Sequence, residues 1–128
     1  MMKLFELARD YQARAYAPYS HFRVGAAVLA DDGNYYGGCN IENAAYPATI
    51  CAERVAITKA ISEGATKIHQ IAVVGDSDYT YPCGVCRQFM AEFSDDLTVF
   101  ILGPTEVLSY RLDELLPFAF TSEDMDEL

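Results

Sequence analysis

Basic residues are scarce in this sequence: nine lysines and arginines stand against 19 aspartates and glutamates, and the formal net charge is −10. A protein that follows a phosphate backbone normally carries the opposite sign of charge, so a polynucleotide substrate is disfavoured. Glu123, Asp124, Asp126 and Glu127 contribute four of these acids. We expect this acidic C-terminal tail, at about 121–128, to be a solvated end.

Long hydrophobic runs and targeting signals are also missing. No apolar stretch approaches the roughly 18 residues that a membrane span needs, and the mixed polar N-terminus lacks the basic and then apolar layout of a secretory signal. Four cysteines are too few for a disulfide scaffold in a chain of 128 residues. We therefore expect a cytoplasmic protein with reduced thiols and no membrane partner.

Internal repeats, low-complexity segments and linkers are absent too. A folded chain of this size buries about two-thirds of the surface that its open form exposes, which is enough for one sizeable core and leaves no room for a second. Apolar residues make up 52% of the chain, a share typical of a globular protein. We predict a single domain that spans residues 1–128.

Hydrophobic periodicity and turn residues predict an α/β protein. Helical spacing covers 2–15, 51–63, 83–93 and, more briefly, 112–116, and strand-like runs cover 23–30, 34–39, 68–74 and 97–102. Asp32 and Gly33 predict a hairpin turn between the first two strands. Gly64 ends the second helix, and Thr49 is a candidate cap at its start. The order β-β-α-β-α-β after a leading helix indicates a mixed sheet with helices packed on it.

Three of the four cysteines fall at predicted helix starts. Cys51 opens one helix, and Cys83 and Cys86 form a C-x-x-C at the start of another. The free N–H groups and partial positive charge of a helix N-terminus favour the thiolate, which is the form that binds metal. If the two helix starts lie side by side, three thiolates can hold Zn²⁺ and leave its fourth tetrahedral position open, as in a catalytic site.

Two charged residues follow Cys51 within one helical turn. From this position the carboxylate of Glu53 can reach a water on the metal, and Arg54 can donate to the cysteine sulfurs from behind. A cysteine or histidine, a glutamate two residues later, and then P-C-x-x-C is the arrangement found in zinc-dependent nucleobase deaminases.

The sequence resembles the small zinc-dependent cytidine deaminases of the cytidine and deoxycytidylate deaminase superfamily. The resemblance rests on six ordered motifs, at 17–20, 22–27, 38–44, 51–54, 82–88 and 115–120. It implies a three-layer α-β-α fold with a mixed five-stranded sheet and one Zn²⁺ per subunit. It also implies hydrolytic deamination of cytidine and 2′-deoxycytidine in pyrimidine salvage.

The roles of the substrate-binding residues come from the same resemblance. It implies that Asn40 and Glu42 bind the ribose 3′-hydroxyl and that the backbone N–H of Ala52 contacts the pyrimidine carbonyl. Phe22 and Phe120 would line the base pocket, with Phe120 reaching into a neighbouring subunit of a homotetramer. The sequence has no G-x-x-x-x-G-K phosphate loop, so a small-molecule nucleoside is favoured over a nucleotide.

We predict that Glu53 performs the proton transfers of this reaction. It would accept the proton of the attacking water, protonate N3 of the cytosine ring, and later protonate the departing amino group. A carboxyl group that does all of this needs a pKa near neutrality, and we expect burial to raise it.

The residues leave three other interpretations open. All four cysteines, Cys39 included, can form a closed structural zinc site, although such a site does not explain Glu53. The C-x-x-C can also form a redox pair, which has no need of Cys51. A deaminase of a cytosine-bearing antibiotic such as blasticidin S shares the zinc motifs, but the segments 18–20 and 118–120 favour the nucleoside enzyme.

Overall fold

A computed structural model describes residues 1–126 of the chain. Its strands are β1 (Val24–Ala30), β2 (Tyr35–Cys39), β3 (Ile68–Gly75), β4 (Thr98–Leu102) and β5 (Val107–Arg111). They form one five-stranded sheet in the order β2-β1-β3-β4-β5. The β3–β4 pair is parallel, and the other neighbouring pairs are antiparallel. The mixed sheet is therefore the one that the sequence predicts.

Helices pack on both faces of this sheet. They are α1 (Met2–Gln12), α2 (Ala52–Ser62), α3 (Gly84–Glu92), α4 (Leu112–Leu115) and α5 (Ser122–Asp126). Side chains alternate along β1: Ala27 packs with Leu4 and Ala8 of α1, whereas Ala26 and Val28 pack with buried residues of α2 and α3. The result is a three-layer α-β-α arrangement. Among the described residues, no helix combines the length and the apolar character needed to cross a membrane.

The structure differs from the sequence prediction at several element boundaries. The periodicity yields four strands and misses β5, an edge strand whose residues are exposed or only half-buried. The first helix ends at Gln12 rather than continuing to residue 15. Thr49 does not cap α2, because Cys51 is the N-cap residue. The Thr49 hydroxyl instead accepts a hydrogen bond from the backbone N–H of Asn43.

The acidic C-terminal tail is described only in part. Ser122–Asp126 forms the short helix α5, which the sequence analysis did not predict. Glu127 and Leu128, which belong to the predicted solvated tail, lie outside the described residues.

A glycine allows α2 to approach the sheet closely enough to place its N-terminus beside the end of β2. A Cβ atom at Gly38 would lie 2.5 Å from the backbone nitrogen of Ala56 and 2.6 Å from the backbone oxygen of Ala52. Both are backbone atoms of α2, so no side-chain rotation can make room. Because α3 follows β3, its N-terminus lies at the same end of the sheet, where β2 and β3 finish and β1 begins.

Candidate active site

The starts of α2 and α3 bring three thiols together. Cys51 and Cys83 are the N-cap residues of the two helices, and Cys86 lies in the first turn of α3. The Sγ atom of Cys83 is 3.9 Å from that of Cys51 and 3.4 Å from that of Cys86. All three sulfur atoms lie within 4.8 Å of one another. The two helix starts therefore lie side by side.

The spacing of these sulfur atoms fits a zinc ion. Tetrahedral thiolate ligands about 2.3 Å from zinc are about 3.8 Å apart, close to the separations of 3.4 and 3.9 Å found here. Cys39 is not part of the cluster. Its buried thiol donates a hydrogen bond to the backbone oxygen of Arg14, at 3.5 Å. One cluster thus brings together three sulfur atoms that could hold a metal ion, and Cys39 is not positioned as a fourth.

The surroundings of Cys51 and Cys86 shift the pKa values of these two thiols in opposite directions. A hydrogen bond from the Cys86 thiol, together with the nearby Arg54, lowers the pKa of Cys51 to about 5. The same bond to Cys51 and burial raise the pKa of Cys86. Nη2 of Arg54 lies 3.6 Å from the Cys51 sulfur, and its buried Nε has no hydrogen-bond partner among the described residues. A bound cation would favour deprotonation of all three thiols, and Arg54 offers them a compensating charge.

Glu53 is a buried carboxyl beside this cluster. Only 4% of the residue is exposed. Burial raises the pKa of Glu53 to about 7, the negative charge of Cys51 raises it further, and Arg54 opposes the rise. A carboxyl with this pKa can accept and release a proton near neutral pH, as general acid–base catalysis requires.

A cleft of about 280 Å³ opens onto the cluster. Of the residues selected from the sequence, its walls include Phe22, Asn40, Glu42, Cys51, Ala52, Glu53 and Cys83. Cys86 and Arg54 are not part of its wall. Phe120 does not line it: the backbone N–H and oxygen of Phe120 bond to the side-chain amide of Gln88, at 3.1 and 2.7 Å.

Asn40 holds the segment that leads into β1. Its Oδ1 accepts a hydrogen bond from the backbone N–H of Val24, at 2.9 Å, and its Nδ2 donates to the backbone oxygen of Phe22, at 2.8 Å. Asn40 therefore fixes the position of Phe22 as well as lining the cleft. The sequence does not indicate this bracing role.

Glu42 holds the loop that precedes Phe22. Its carboxylate accepts hydrogen bonds from the backbone N–H groups of Tyr19 and Ser20, at 3.0 and 3.1 Å, and from the Ser20 hydroxyl. His21, which follows Ser20 in this loop, has a φ angle of 59°. This left-handed conformation costs a non-glycine residue about 1–2 kcal/mol, and the bonds to Glu42 help to maintain it.

The contribution of Glu42 to stability is expected to depend on pH. Bonds from the Ser20 hydroxyl and from the backbone of Ser20 and Tyr19 hold the pKa of Glu42 below its ordinary value of 4.5. A lowered pKa in the folded state stabilises the protein above the ordinary pKa, and this gain is lost as the pH falls through the folded-state value. Wild type should therefore be more stable than Glu42→Gln near neutrality, and the difference should shrink below pH 4.5.

Urea unfolding of both proteins at about pH 7 and about pH 3 measures this difference. Loss of metal at low pH affects both proteins and cancels in the comparison. A stability difference that stays constant over this range would contradict the assigned bonds.

The cleft also contains residues that the sequence analysis did not select. Ser20, Thr80 and Tyr81 lie in its wall. Ser20 belongs to one of the motifs, but nothing in the motif shows that its hydroxyl bonds to Glu42. Thr80 and Tyr81 follow no periodicity, and their closeness in sequence to Cys83 is the one signal that could have found them.

The position of Glu53 decides which class of zinc site this is. A closed structural site has no need of a buried carboxyl next to its ligands, and here that carboxyl faces a cleft large enough for a small molecule. A metal that keeps one position free beside a proton-transferring group is the arrangement of a zinc-dependent hydrolase.

The chain belongs to the cytidine and deoxycytidylate deaminase family. The family model described as the cytidine and deoxycytidylate deaminase zinc-binding region matches residues 1–102. A cytidine deaminase of Halalkalibacterium halodurans is 50% identical over 121 residues, which cover 91% of this chain and 92% of that protein. One of Sporosarcina psychrophila is 44% identical over 126 residues, covering 96% and 93%.

A solved structure agrees with the fold. The crystal structure of cytidine deaminase from Burkholderia pseudomallei is similar with a TM-score of 0.88 and 41% identity, and the match covers 93% of this chain and 98% of that one. The five-stranded mixed sheet and the zinc cofactor that the resemblance implied are thereby confirmed.

Proposed function

We propose that this protein catalyses the zinc-dependent hydrolytic deamination of cytidine and 2′-deoxycytidine to uridine and 2′-deoxyuridine, with release of ammonia. The observation that carries the proposal is the buried Glu53 carboxyl, which faces the same cleft as two of the three clustered thiols. The relatives are named cytidine deaminases, which supports this substrate. Neither a blasticidin S deaminase nor a structural zinc module is favoured.

Cys51, Cys83 and Cys86 are the proposed zinc ligands. When bound, zinc supplies a strongly acidified water, and so a nucleophile at neutral pH. Three thiolates weaken this effect because their combined charge exceeds that of the ion. Arg54, 3.6 Å from the Cys51 sulfur, offsets part of that charge, and the N-termini of α2 and α3 act in the same direction.

Glu53 is the proposed catalytic acid and base. Its carboxylate accepts one proton of the attacking water and delivers it to N3 of the cytosine ring while the C–O bond forms at C4. It then passes the second proton of that water to the amino group, which leaves as ammonia. A pKa of about 7 lets the same carboxyl perform both transfers without a large energetic penalty in either direction.

The cleft residues are proposed to bind the nucleoside. Ala52 is the first residue of α2, so its N–H has no partner within the helix and can donate to the pyrimidine carbonyl. Asn40 and Glu42 keep unused hydrogen-bonding capacity beyond their loop contacts and can bind the ribose 3′-hydroxyl. Phe22 offers an aromatic face to the base.

A homotetramer is proposed to complete the site. Phe120 is 56% exposed and does not line the Glu53 cleft of its own subunit, Phe118 is 94% exposed, and Val85 of α3 is 61% exposed. Large apolar side chains exposed together are typical of an association surface. In such an assembly Phe120 would line the cleft of a neighbouring subunit, and analytical ultracentrifugation of the wild type and of Phe118→Ser tests this association.

The cellular setting is proposed from the chemistry. The four cysteines are all free, which suits the reducing cytoplasm. There the reaction would return cytosine nucleosides to the uridine pool in pyrimidine salvage.

Incubation with candidate substrates tests the proposed function directly. The zinc-loaded protein is mixed separately with cytidine, 2′-deoxycytidine and blasticidin S, and the ultraviolet absorbance of the cytosine ring and the release of ammonia are followed. We expect both signals with the two nucleosides. Turnover of blasticidin S alone would contradict the substrate, and no turnover of any of the three would contradict the function.

A further inference from the structure

The loop at 76–83, which joins β3 to α3, contributes three of the residues that line the cleft. Cys83 is the last residue of the loop, and Thr80 and Tyr81 form part of the cleft wall. The loop has no helix or strand of its own. Its geometry, and with it the position of the Cys83 sulfur, therefore depends on side chains that hold it to the rest of the protein.

A first phenol holds the middle of this loop. The hydroxyl of Tyr79 donates a hydrogen bond to Oε1 of Glu106, at 2.8 Å. Glu106 lies in the turn between β4 and β5. The Tyr79 ring also packs against Gly103, where an added Cβ would overlap it. This contact attaches the loop to the start of the β4–β5 turn.

A second phenol holds the loop two residues further on. The hydroxyls of Tyr81 and Tyr110 are 2.7 Å apart, and their rings pack with centroids 5.8 Å apart at an angle of 57°. Tyr110 belongs to β5 and does not line the cleft. Pro82, directly after Tyr81, accepts a hydrogen bond from Nε of Arg87 through its backbone oxygen, at 2.9 Å.

We propose that the β4–β5 hairpin, residues 98–111, positions the wall of the cleft and the Cys83 ligand, and that Tyr110 and Glu106 are its positioning residues. Both side chains act through a tyrosine of the loop and touch neither the thiols nor the cleft. Because Tyr81 is two residues from Cys83, which is an exposed residue, fixing the Tyr81 phenol restricts where the Cys83 sulfur can move. The inference rests on the proposed role of Cys83 as a zinc ligand.

Removal of single hydroxyls tests the Tyr81–Tyr110 bond. The rate at which zinc passes from the loaded protein to a chromogenic chelator is measured for wild type, Tyr110→Phe, Tyr81→Phe and the double variant. We expect zinc release to be about fivefold faster in each of the three variants than in wild type. This ratio corresponds to the loss of one hydrogen bond of typical net strength. The three values should agree, because all three variants lack the same bond.

Tyr36→Phe is the matched control. It removes a phenol hydrogen bond to Asp32, 2.6 Å long, in the β1–β2 turn, far along β2 from the cleft. We expect zinc release at the wild-type rate in this variant even where its melting temperature falls as much as that of Tyr110→Phe. The Tyr79→Phe and Glu106→Ala variants test the Tyr79–Glu106 hydrogen bond in the same way. We expect zinc release to be faster in both than in wild type.

The outcomes separate this inference from the proposed function. Zinc release at the wild-type rate in both Tyr110→Phe and Glu106→Ala would overturn the positioning role while leaving the function intact. Acceleration in Tyr36→Phe equal to that in Tyr110→Phe would also overturn it, because a general loss of stability would then be the cause. A wild-type protein that binds no zinc would overturn the proposed function and this inference together.

Discussion

Glu53→Gln is expected to lose almost all turnover of cytidine and to keep its zinc. The amide is close to the carboxylate in size but cannot accept the proton of the attacking water or deliver it to N3. General acid–base catalysis by one residue contributes a factor of about 10²–10⁴, so kcat should fall within or beyond that range. Steady-state kinetics, with zinc content determined on the same samples, measures both quantities.

The matched control is Glu63→Gln, at the other end of α2. Glu63 is exposed, and the same change of charge there leaves the cleft untouched. We expect wild-type kinetics in this variant. Near-normal turnover in Glu53→Gln would remove that residue from the mechanism, whereas loss of zinc from Glu53→Gln would mean that the carboxyl supports the ligands rather than the reaction.

Cys51→Ala is expected to lose most of its zinc and with it the activity, whereas Cys39→Ala keeps both. The Cys51 sulfur lies in the cluster with those of Cys83 and Cys86, and two thiols alone cannot complete a three-ligand site. Cys39 bonds to the backbone oxygen of Arg14 and is not in the cluster. Elemental analysis of the purified variants gives the zinc stoichiometry.

These two variants are each other's control, because each deletes one thiol from a half-buried or buried position. Zinc lost from Cys39→Ala and retained in Cys51→Ala would contradict the assignment of the ligands. Zinc lost from both would restore the closed four-cysteine site as an explanation.

The grouping of the three thiols can be predicted from the sequence because its determinants are local. A cysteine at an N-cap and another in the first turn have their positions set by the helix itself, and Gly38 and the β3–α3 connection then place the two starts together. The burial that raises the pKa of Glu53 follows from the same placement. Sequence reasoning from the residues alone could therefore anticipate three thiols beside one carboxyl.

The parts that the sequence did not predict depend on contacts between distant segments. The bonds of Asn40 and Glu42 to the loop before β1 span 16 to 23 residues, and no periodicity encodes them. β5 was missed because its side chains pack only partly, so its apolar pattern is weak. Tyr81 was missed for a related reason: its partner, Tyr110, belongs to that same strand.

The coordination of the metal tests the central claim most directly. X-ray absorption spectroscopy at the zinc edge, on the loaded wild-type protein without substrate, counts the sulfur ligands. We predict three sulfur atoms at about 2.3 Å and one lighter oxygen ligand. Four sulfur ligands, or a protein that holds no zinc, would contradict an open site at which water is activated beside Glu53.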